Sequence, residues 1–342
     1  MSDKKSPDID FIPEIDSTIK DAYLHNELVL FIGTGISRRL GAYGWEGFAD
    51  AIFEQLAHST KTDVNYNLLS QIKYYSPRKK LSFALELAEG EIDLDFRKAI
   101  NLPEKGKRPN KSFHIYDYLN QLKCNIVTTN YDNFLHEQPN DDSLILPNFS
   151  EEESKGIGKR ERIYRRSDIN GDTLDKKRYK IIHLHGCLGY NKNEDLVITT
   201  DDYLRLYQPS DDNNILNFLR SLFQDGNWTI LFIGYGLNEM EILEYLLRQD
   251  SKERKEEDEN EDIIIDRFWL EGFYSHQEEE YKLLKRYYRK NFNIKLIPFC
   301  LDKKEYSQLD IVIENWVKEL EIAKHSTPEN VVNLVQKINK ND

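Results

Sequence analysis

The sequence predicts an α/β fold: a Rossmann-like, doubly wound and mainly parallel sheet that carries a helical insertion. Three observations predict it. Short apolar runs recur along the 342 residues, at Leu28–Ile32, Asn125–Thr129, Ile181–Leu184 and Trp228–Ile233. Apolar residues at helical spacing separate them, as with Trp45, Phe48, Ile52 and Leu56. Each run stops at glycine or polar residues, namely Gly33-Thr34-Gly35, Asn130-Tyr131-Asp132, His185-Gly186 and Gly234-Tyr235-Gly236. Runs of this length suit strands buried on both faces. In an open parallel sheet ligands bind outside the carboxyl ends of the strands, so the four tips are expected around one crevice.

Composition narrows the function classes. With 39% hydrophobic and 12% aromatic residues, the chain has the material for a large core and is globular. The 47 basic and 60 acidic residues leave a net charge of -13, which argues against a nucleic-acid coat protein. No apolar run approaches the roughly 20 residues of a membrane span. The start, Met1-Ser2-Asp3-Lys4-Lys5, has no apolar signal segment, so a cytoplasmic location without a membrane partner is expected. The three cysteines, Cys124, Cys187 and Cys300, lie far apart with no Cys-x-x-Cys pair. Neither a disulfide framework nor a zinc ribbon is supported, and no metal site is expected.

Taken in order, residues 1–13 are polar and proline-marked and read as a flexible arm. Residues 14–26 suit a helix leading into the first strand. Trp45, Phe48, Ile52 and Leu56 give the helix after the glycine turn. Leu81, Ala84, Leu85 and Ala88 give another, and Phe96 with Ile100 a further turn, so that residues 60–110 form a mostly helical insertion closed by the loop Lys105-Gly106-Lys107-Arg108-Pro109-Asn110. Ile115, Leu119 and Leu122 mark a helix feeding the second strand. A short strand is expected at Leu196–Thr199, then one helical stretch from Asp201 through Ile215, Leu219 and Leu222. Ile242, Leu243, Leu246 and Leu247 follow the fourth strand as a helix. Lys252–Asp262 is a charge run that reads as solvated chain. Strands recur near Ile263–Leu270 and Ile294–Phe299, around a helix with Leu283, Leu284, Tyr287 and Tyr288. Residues 301–342 close the chain as helices around Trp316 and Val335, a possible assembly element.

The order of these motifs resembles the sirtuin-like (SIR2-like) family of NAD-consuming enzymes, and more narrowly a bacterial branch of anti-phage defence proteins. Gly33-Thr34-Gly35-Ile36-Ser37 matches the family's phosphate-binding loop. Thr128-Thr129-Asn130-Tyr131-Asp132 matches its Thr-Gln-Asn-x-Asp stretch, with Thr129 in place of glutamine. Leu184-His185-Gly186 matches the catalytic His-Gly, and Gly234-Tyr235-Gly236-Leu237 a later glycine loop. The resemblance implies one NAD-binding domain over residues 14–300. Protein-deacylating members carry a four-cysteine zinc ribbon after the histidine. Here only Cys187 lies in that interval, so the resemblance implies NAD as a substrate to be hydrolysed, with neither zinc nor a prosthetic group.

The resemblance assigns Asn130 to a ribose hydroxyl and the attacking water, His185 to proton acceptance, and Asp132 to orienting the nicotinamide amide or balancing charge. Gly33, Thr34, Gly35 and Ser37 would cradle the pyrophosphate, and Gly234, Gly236 and Asn238 would approach the adenosine half. Plainer uses of the same residues stay open. Gly33-Thr34-Gly35 lacks the third glycine of a dinucleotide fingerprint, since position 38 is Arg38, and serves equally as a bare turn. Asn130 and Asp132 suit helix caps, Gly234 and Gly236 suit close packing, and His183, two residues before His185, is read as structural. The basic cluster from Lys155 to Lys180 has only Tyr164 and Tyr179 interleaved. It reads as a solvated excursion or subunit contact, and direct nucleic-acid binding is not expected. Depleting NAD is lethal, so a gate is expected: a homo-oligomer, or a separately encoded HerA-type ATPase, Argonaute-type module or nucleotide-binding protein. The rivals are a deacylase or ADP-ribosyltransferase on the same scaffold, and a non-catalytic module that senses NAD or ADP-ribose.

Overall fold

The computed structural model describes residues 9–59, 75–88, 92–102, 114–136, 161–190, 196–208, 210, 213–224, 228–236 and 266–326. Among them, seven strands form one sheet: β1 (Leu28–Ile32), β2 (Asn125–Thr128), β3 (Glu161–Ile163), β4 (Lys180–His183), β5 (Thr229–Ile233), β6 (Arg267–Phe273) and β7 (Ile294–Cys300). Their order is β3-β4-β2-β1-β5-β6-β7, and every pairing is parallel. The described helices are α1 (Ser17–Leu24), α2 (Thr34–Arg38), α3 (Trp45–Ala57), α4 (Pro77–Ala88), α5 (Phe96–Ala99), α6 (His114–Gln121), α7 (Thr200–Leu206), α8 (Asn214–Gln224), α9 (Glu278–Phe292) and α10 (Gln308–His325).

β1 shows why the run Leu-Val-Leu-Phe-Ile is a central strand. All five residues are fully buried, and the period of two divides them between two cores. Leu28, Leu30 and Ile32 pack with α1, α3, α6 and α10 on one face. Val29 and Phe31 pack with α8 and α9 on the other. Each such side chain contributes about 1.5–3 kcal/mol of burial. From β1 the chain moves to β2 and β4 on one side, then crosses back to β5 on the other. The carboxyl ends of β1, β2 and β5 therefore flank a switch point, where a crevice forms by topology alone.

Several expectations are corrected. Residues 9–13 are docked rather than loose: the Asp10 carbonyl accepts the Cys300 N–H at 2.9 Å, and the Pro13 carbonyl accepts the Trp316 indole N–H at 2.8 Å. Residues 1–8 lie outside the described residues. Leu196–Thr199 is not a strand. It is a buried extended lead-in to α7, fixed where Thr199 accepts the Asp202 N–H and the Asp202 carboxylate accepts the Thr199 N–H. The single helix expected from Asp201 to Leu222 is two, α7 and α8: the first ends at Leu206, and Asn213 caps the second through the Leu216 N–H. The start of the strand expected at Ile263 falls outside the described residues, and β6 runs on to Phe273. β3 appears inside the basic segment, where no strand was read. Of the helical insertion, α4 and α5 are described. The helices expected near Ile242 and Val335 lie outside the described residues.

The C-terminal helix α10 belongs to the same core. Leu309, Val312, Ile313, Trp316, Val317 and Leu320 are buried beneath it. So is Glu321, whose Oε1 accepts the Tyr23 hydroxyl from α1, while burial pushes its carboxyl above the usual range. The Lys123 N–H donates to the same Tyr23 oxygen at 3.2 Å. Removing the hydroxyl with Tyr23→Phe strips a buried acid of its partner. A loss of about 1–3 kcal/mol is expected in urea unfolding, whereas Tyr287→Phe, on the exposed face of α9, changes stability by less than about 0.5 kcal/mol.

Candidate active site

The tips of β1 and β5 touch backbone to backbone. The Gly33 N–H donates to the Ile233 carbonyl at 3.0 Å and the Gly35 N–H to the Gly234 carbonyl at 2.8 Å. A Cβ on Gly35 would stand 2.7 Å from Gly234 Cα. Gly234 has φ +67°, and a Cβ there would stand 2.8 Å from the Ile36 nitrogen. Glycine is required at both places by contact and, at Gly234, by conformation. Two of the amides expected to face a pyrophosphate are therefore engaged by β5. Gly236 differs: nothing lies within 4 Å of a Cβ placed on it. Asn238 lies outside the described residues.

This contact sets the start of α2 and hence Ser37, whose hydroxyl donates to Asp132 Oδ2 at 2.5 Å. Tyr116, fully buried on α6, donates to the same oxygen at 3.0 Å, and the Phe134 N–H donates to Oδ1 at 3.2 Å. Asp132 thus caps the short turn after β2 and also ties three elements together. Burial pushes its carboxyl above the ordinary range, against the pull of those donors. Burial and the Asp132 charge push the Tyr116 hydroxyl well above its usual value. The thiol of Cys187, also buried, points at the Asp132 carbonyl at 3.5 Å.

Asn130 follows from the same packing. Its side-chain Nδ2 donates to the Gly33 carbonyl at 2.9 Å, and its N–H donates to the Thr128 hydroxyl at 3.0 Å. Its Oδ1 is buried and has no hydrogen-bond partner among the described residues. Asn130 lines a narrow cavity of about 30 Å³ with Thr34, Ser37, Trp45, Tyr131 and Asp132. A buried amide oxygen without a partner is costly unless something fills that role.

His185 is not in that wall. β4 ends at His183, so strand alternation does not orient His185. It sits just beyond, 4% exposed, with Nε2 3.1 Å from the Tyr207 hydroxyl and Nδ1 3.3 Å from the Tyr203 hydroxyl. Burial, with Arg78 and Arg166 nearby, lowers its pKa to about 3. The ring is neutral at pH 7. Its link to the cavity is aromatic: Tyr203 packs edge-on against both His185 and Trp45, at 5.0 and 6.1 Å between ring centroids. His183 is buried with Nδ1 3.2 Å from the Asn130 carbonyl, and burial lowers its pKa to about 4.

The structure thus gathers Thr34, Ser37, Asn130 and Asp132, holds Gly33, Gly35 and Gly234 together as their scaffold, and sets His185 behind Tyr203. Tyr116, Trp45, Tyr203 and Tyr207 were read as helix residues or not singled out. Only the four-residue spacing of Tyr203 and Tyr207, which puts them on one helix face, signalled the pair. The strand context of Thr129 likewise hid its bond to the Tyr235 hydroxyl, 2.9 Å away. No group of three or more His, Cys, Asp or Glu side chains is placed to hold a metal ion among the described residues.

Two outcomes follow. Gly35→Ala should cost about 1–3 kcal/mol in urea unfolding, whereas Gly236→Ala should stay within about 0.5 kcal/mol. The two histidines have native pKa values of about 3 and 4, below the ordinary 6.5, so the unfolded chain binds more protons between those values and 6.5. Their contribution to stability is complete above 6.5 and is lost as pH falls toward 4, while Asp132, shifted upward, acts in the opposite sense. Thermal melting should therefore fall from about pH 7.5 to about pH 5, and fall less in His183→Leu.

Comparison with known proteins bears on this geometry. A family model described as SIR2-like domain matches residues 125–297, from the start of β2 into β7, just over half of the 342-residue chain. No curated protein matches the chain.

Proposed function

The chain belongs to the SIR2-like domain family, and from that membership together with the unpartnered Asn130 Oδ1 we propose that it hydrolyses NAD at the nicotinamide–ribose bond, releasing nicotinamide and ADP-ribose. The observation that carries this reading is the buried Oδ1 of Asn130, a residue that lines the cavity with Ser37 and Asp132. Cleavage passes through an oxocarbenium-like ribose. A fixed amide can accept from a ribose hydroxyl or align a water while the leaving nicotinamide departs neutral. Asp132, held by Ser37, Tyr116 and the turn after β2, positions that wall and places negative charge near the developing cation. His185, neutral, takes part in moving the proton that water attack releases. Thr34, with the Gly33-to-Ser37 turn, faces the phosphates, and the Gly234 tip with Gly236 and Asn238 approaches the adenosine half.

The motif order from Gly33 to Gly236, with Cys187 alone where a zinc ribbon would stand, supports the zinc-free defence branch. In that reading the chain depletes NAD in the cytoplasm during phage infection. Its domain spans residues 14–300, the end of the chain serves assembly, and a homo-oligomer or a separately encoded sensor, of HerA-type ATPase, Argonaute-type or nucleotide-binding kind, gates the activity. One observation favours a second reading, a non-catalytic NAD or ADP-ribose sensor: both ring nitrogens of His185 are already occupied by tyrosine hydroxyls.

Incubation with NAD separates the readings. Nicotinamide and ADP-ribose appearing without any acylated or protein acceptor support hydrolysis, and binding without turnover supports the sensor. Asn130→Ala should lower the hydrolysis rate about 100- to 1000-fold, as expected for a group aligned on the transition state, with the protein still folded by circular dichroism although melting lower for loss of the bond to Gly33. A rate near wild type would remove Asn130 from the site.

A further inference from the structure

Hydrolysis of NAD makes no use of two guanidinium groups that flank α7. Arg78, on α4, holds its guanidinium carbon 4.1 Å from the centre of the Tyr203 ring and 5.5 Å from that of Trp45. Arg166 stands in the chain before β4. Both are half-buried, and both lie near enough to His185 to add to the effect of burial on its ring. Among the described residues neither side chain meets a carboxylate or any other hydrogen-bond acceptor. A guanidinium carries five donors and a fixed charge, and aromatic stacking orients it without occupying those donors.

Each arginine lines an open cleft beside α7, and the two clefts adjoin. The first, about 600 Å³, has Arg78, Leu204 and Tyr207 in its walls. The second, about 400 Å³, has Arg166, and Arg205 and Gln208 line both. These volumes lie in the range of small-ligand sites, roughly 300–1,000 Å³. The Tyr207 hydroxyl is engaged with His185 Nε2 at 3.1 Å, so that residue contributes ring surface to the cleft. Leu204, 66% exposed, adds apolar surface. The Gln208 carbonyl accepts from Asn213 at 2.9 Å, and its side-chain amide offers a donor and an acceptor side by side. Asp201, the one acid lining either cleft, is paired with Arg205 at 2.7 Å. Of the charged residues around the two clefts, Arg78 and Arg166 are left over, in a chain whose net charge is -13.

We propose that the adjoining clefts beside α7 form a second binding site, which takes a nucleoside diphosphate. Their lining shares no residue with that of the Asn130 cavity. The phosphates meet the guanidinium groups of Arg78 and Arg166, whose planar forks match phosphate oxygens. The base lies against Tyr207 and Leu204, with its polar edge on the Gln208 amide. A bare anion leaves the ring and leucine surface unused, and an uncharged ligand leaves two cations unpaired beside it. Arginines in separate clefts call for more than one phosphate group. No bond is made or broken at this site, so it stands apart from NAD hydrolysis.

Isothermal titration calorimetry of the full chain with ADP tests this. Arg78→Met and Arg166→Met remove the charge and keep an unbranched side chain, and circular dichroism verifies that both fold. Each should weaken ADP binding about 10- to 100-fold, the scale of lost hydrogen bonds to a charged group. Arg78→Lys, which keeps the charge without the fork, should recover only part of the loss. Pyrophosphate and adenosine should each bind more weakly than ADP. Absence of binding at about 1 mM ADP, or affinity within about twofold of wild type in either methionine variant, overturns the site. Pyrophosphate binding as tightly as ADP overturns the nucleotide assignment. ADP affinity that falls in Gly236→Ala and not in Arg166→Met places the ligand at the β5 tip and overturns the site as well. If ADP binds as expected while wild type releases no nicotinamide from NAD, the hydrolysis reading fails alone and the second site stands.

Discussion

The backbone contact between Gly35 and Gly234 is the constraint on which the site depends. Neither glycine has room for a Cβ, because β1 and β5 are paired to their last residues and their tips continue to bond beyond the strands. That approach fixes where α2 begins, and so the height of Ser37 above the sheet. Ser37 and Tyr116 then hold the Asp132 carboxylate, and the Gly33 carbonyl holds the Asn130 amide. The result is a wall in which the Asn130 oxygen has no hydrogen-bond partner among the described residues. A glycine turn that reads as a phosphate cradle is here first a joint between two strands.

Polar groups are buried on the same plan throughout the carboxyl end of the sheet. Asp132 has three donors, His183 a backbone carbonyl, His185 two hydroxyls. Low dielectric makes each of these bonds strong and makes any missing one expensive. It also explains why the histidines stay neutral and why Asp132 is harder to ionise than a surface acid.

Buried polar pairs recur in the layer closed by α10. Glu321 is buried beside Tyr23, and Arg39 from the loop after α2 reaches Asp310 with two bonds, at 3.0 and 2.9 Å. The end of the described chain is thus tied to the element that begins the site. Residues 9–13, bonded to Cys300 and Trp316, close the arrangement from the other terminus.

The α/β class and the strands β1, β2, β4 and β5 were legible in the sequence, because continuous apolar runs and helical periodicity are local and repeat. Asn130, Asp132 and Ser37 were legible as residues of a strand tip or glycine turn. Their partners were not. Ser37 and Asp132 are 95 positions apart and Asn130 and Gly33 are 97 apart, and no local pattern states which side chain meets which. Leu196–Thr199 misled for a related reason: an apolar run records burial, and only neighbouring backbone decides whether it pairs as a strand. The sequence by itself determined which residues are buried and where the chain turns. Only the tertiary structure decided that Gly35 must touch Gly234, that the Asn130 oxygen is left open, and that His185 lies behind Tyr203, because these depend on distances across the sheet that hydrophobic periodicity does not encode.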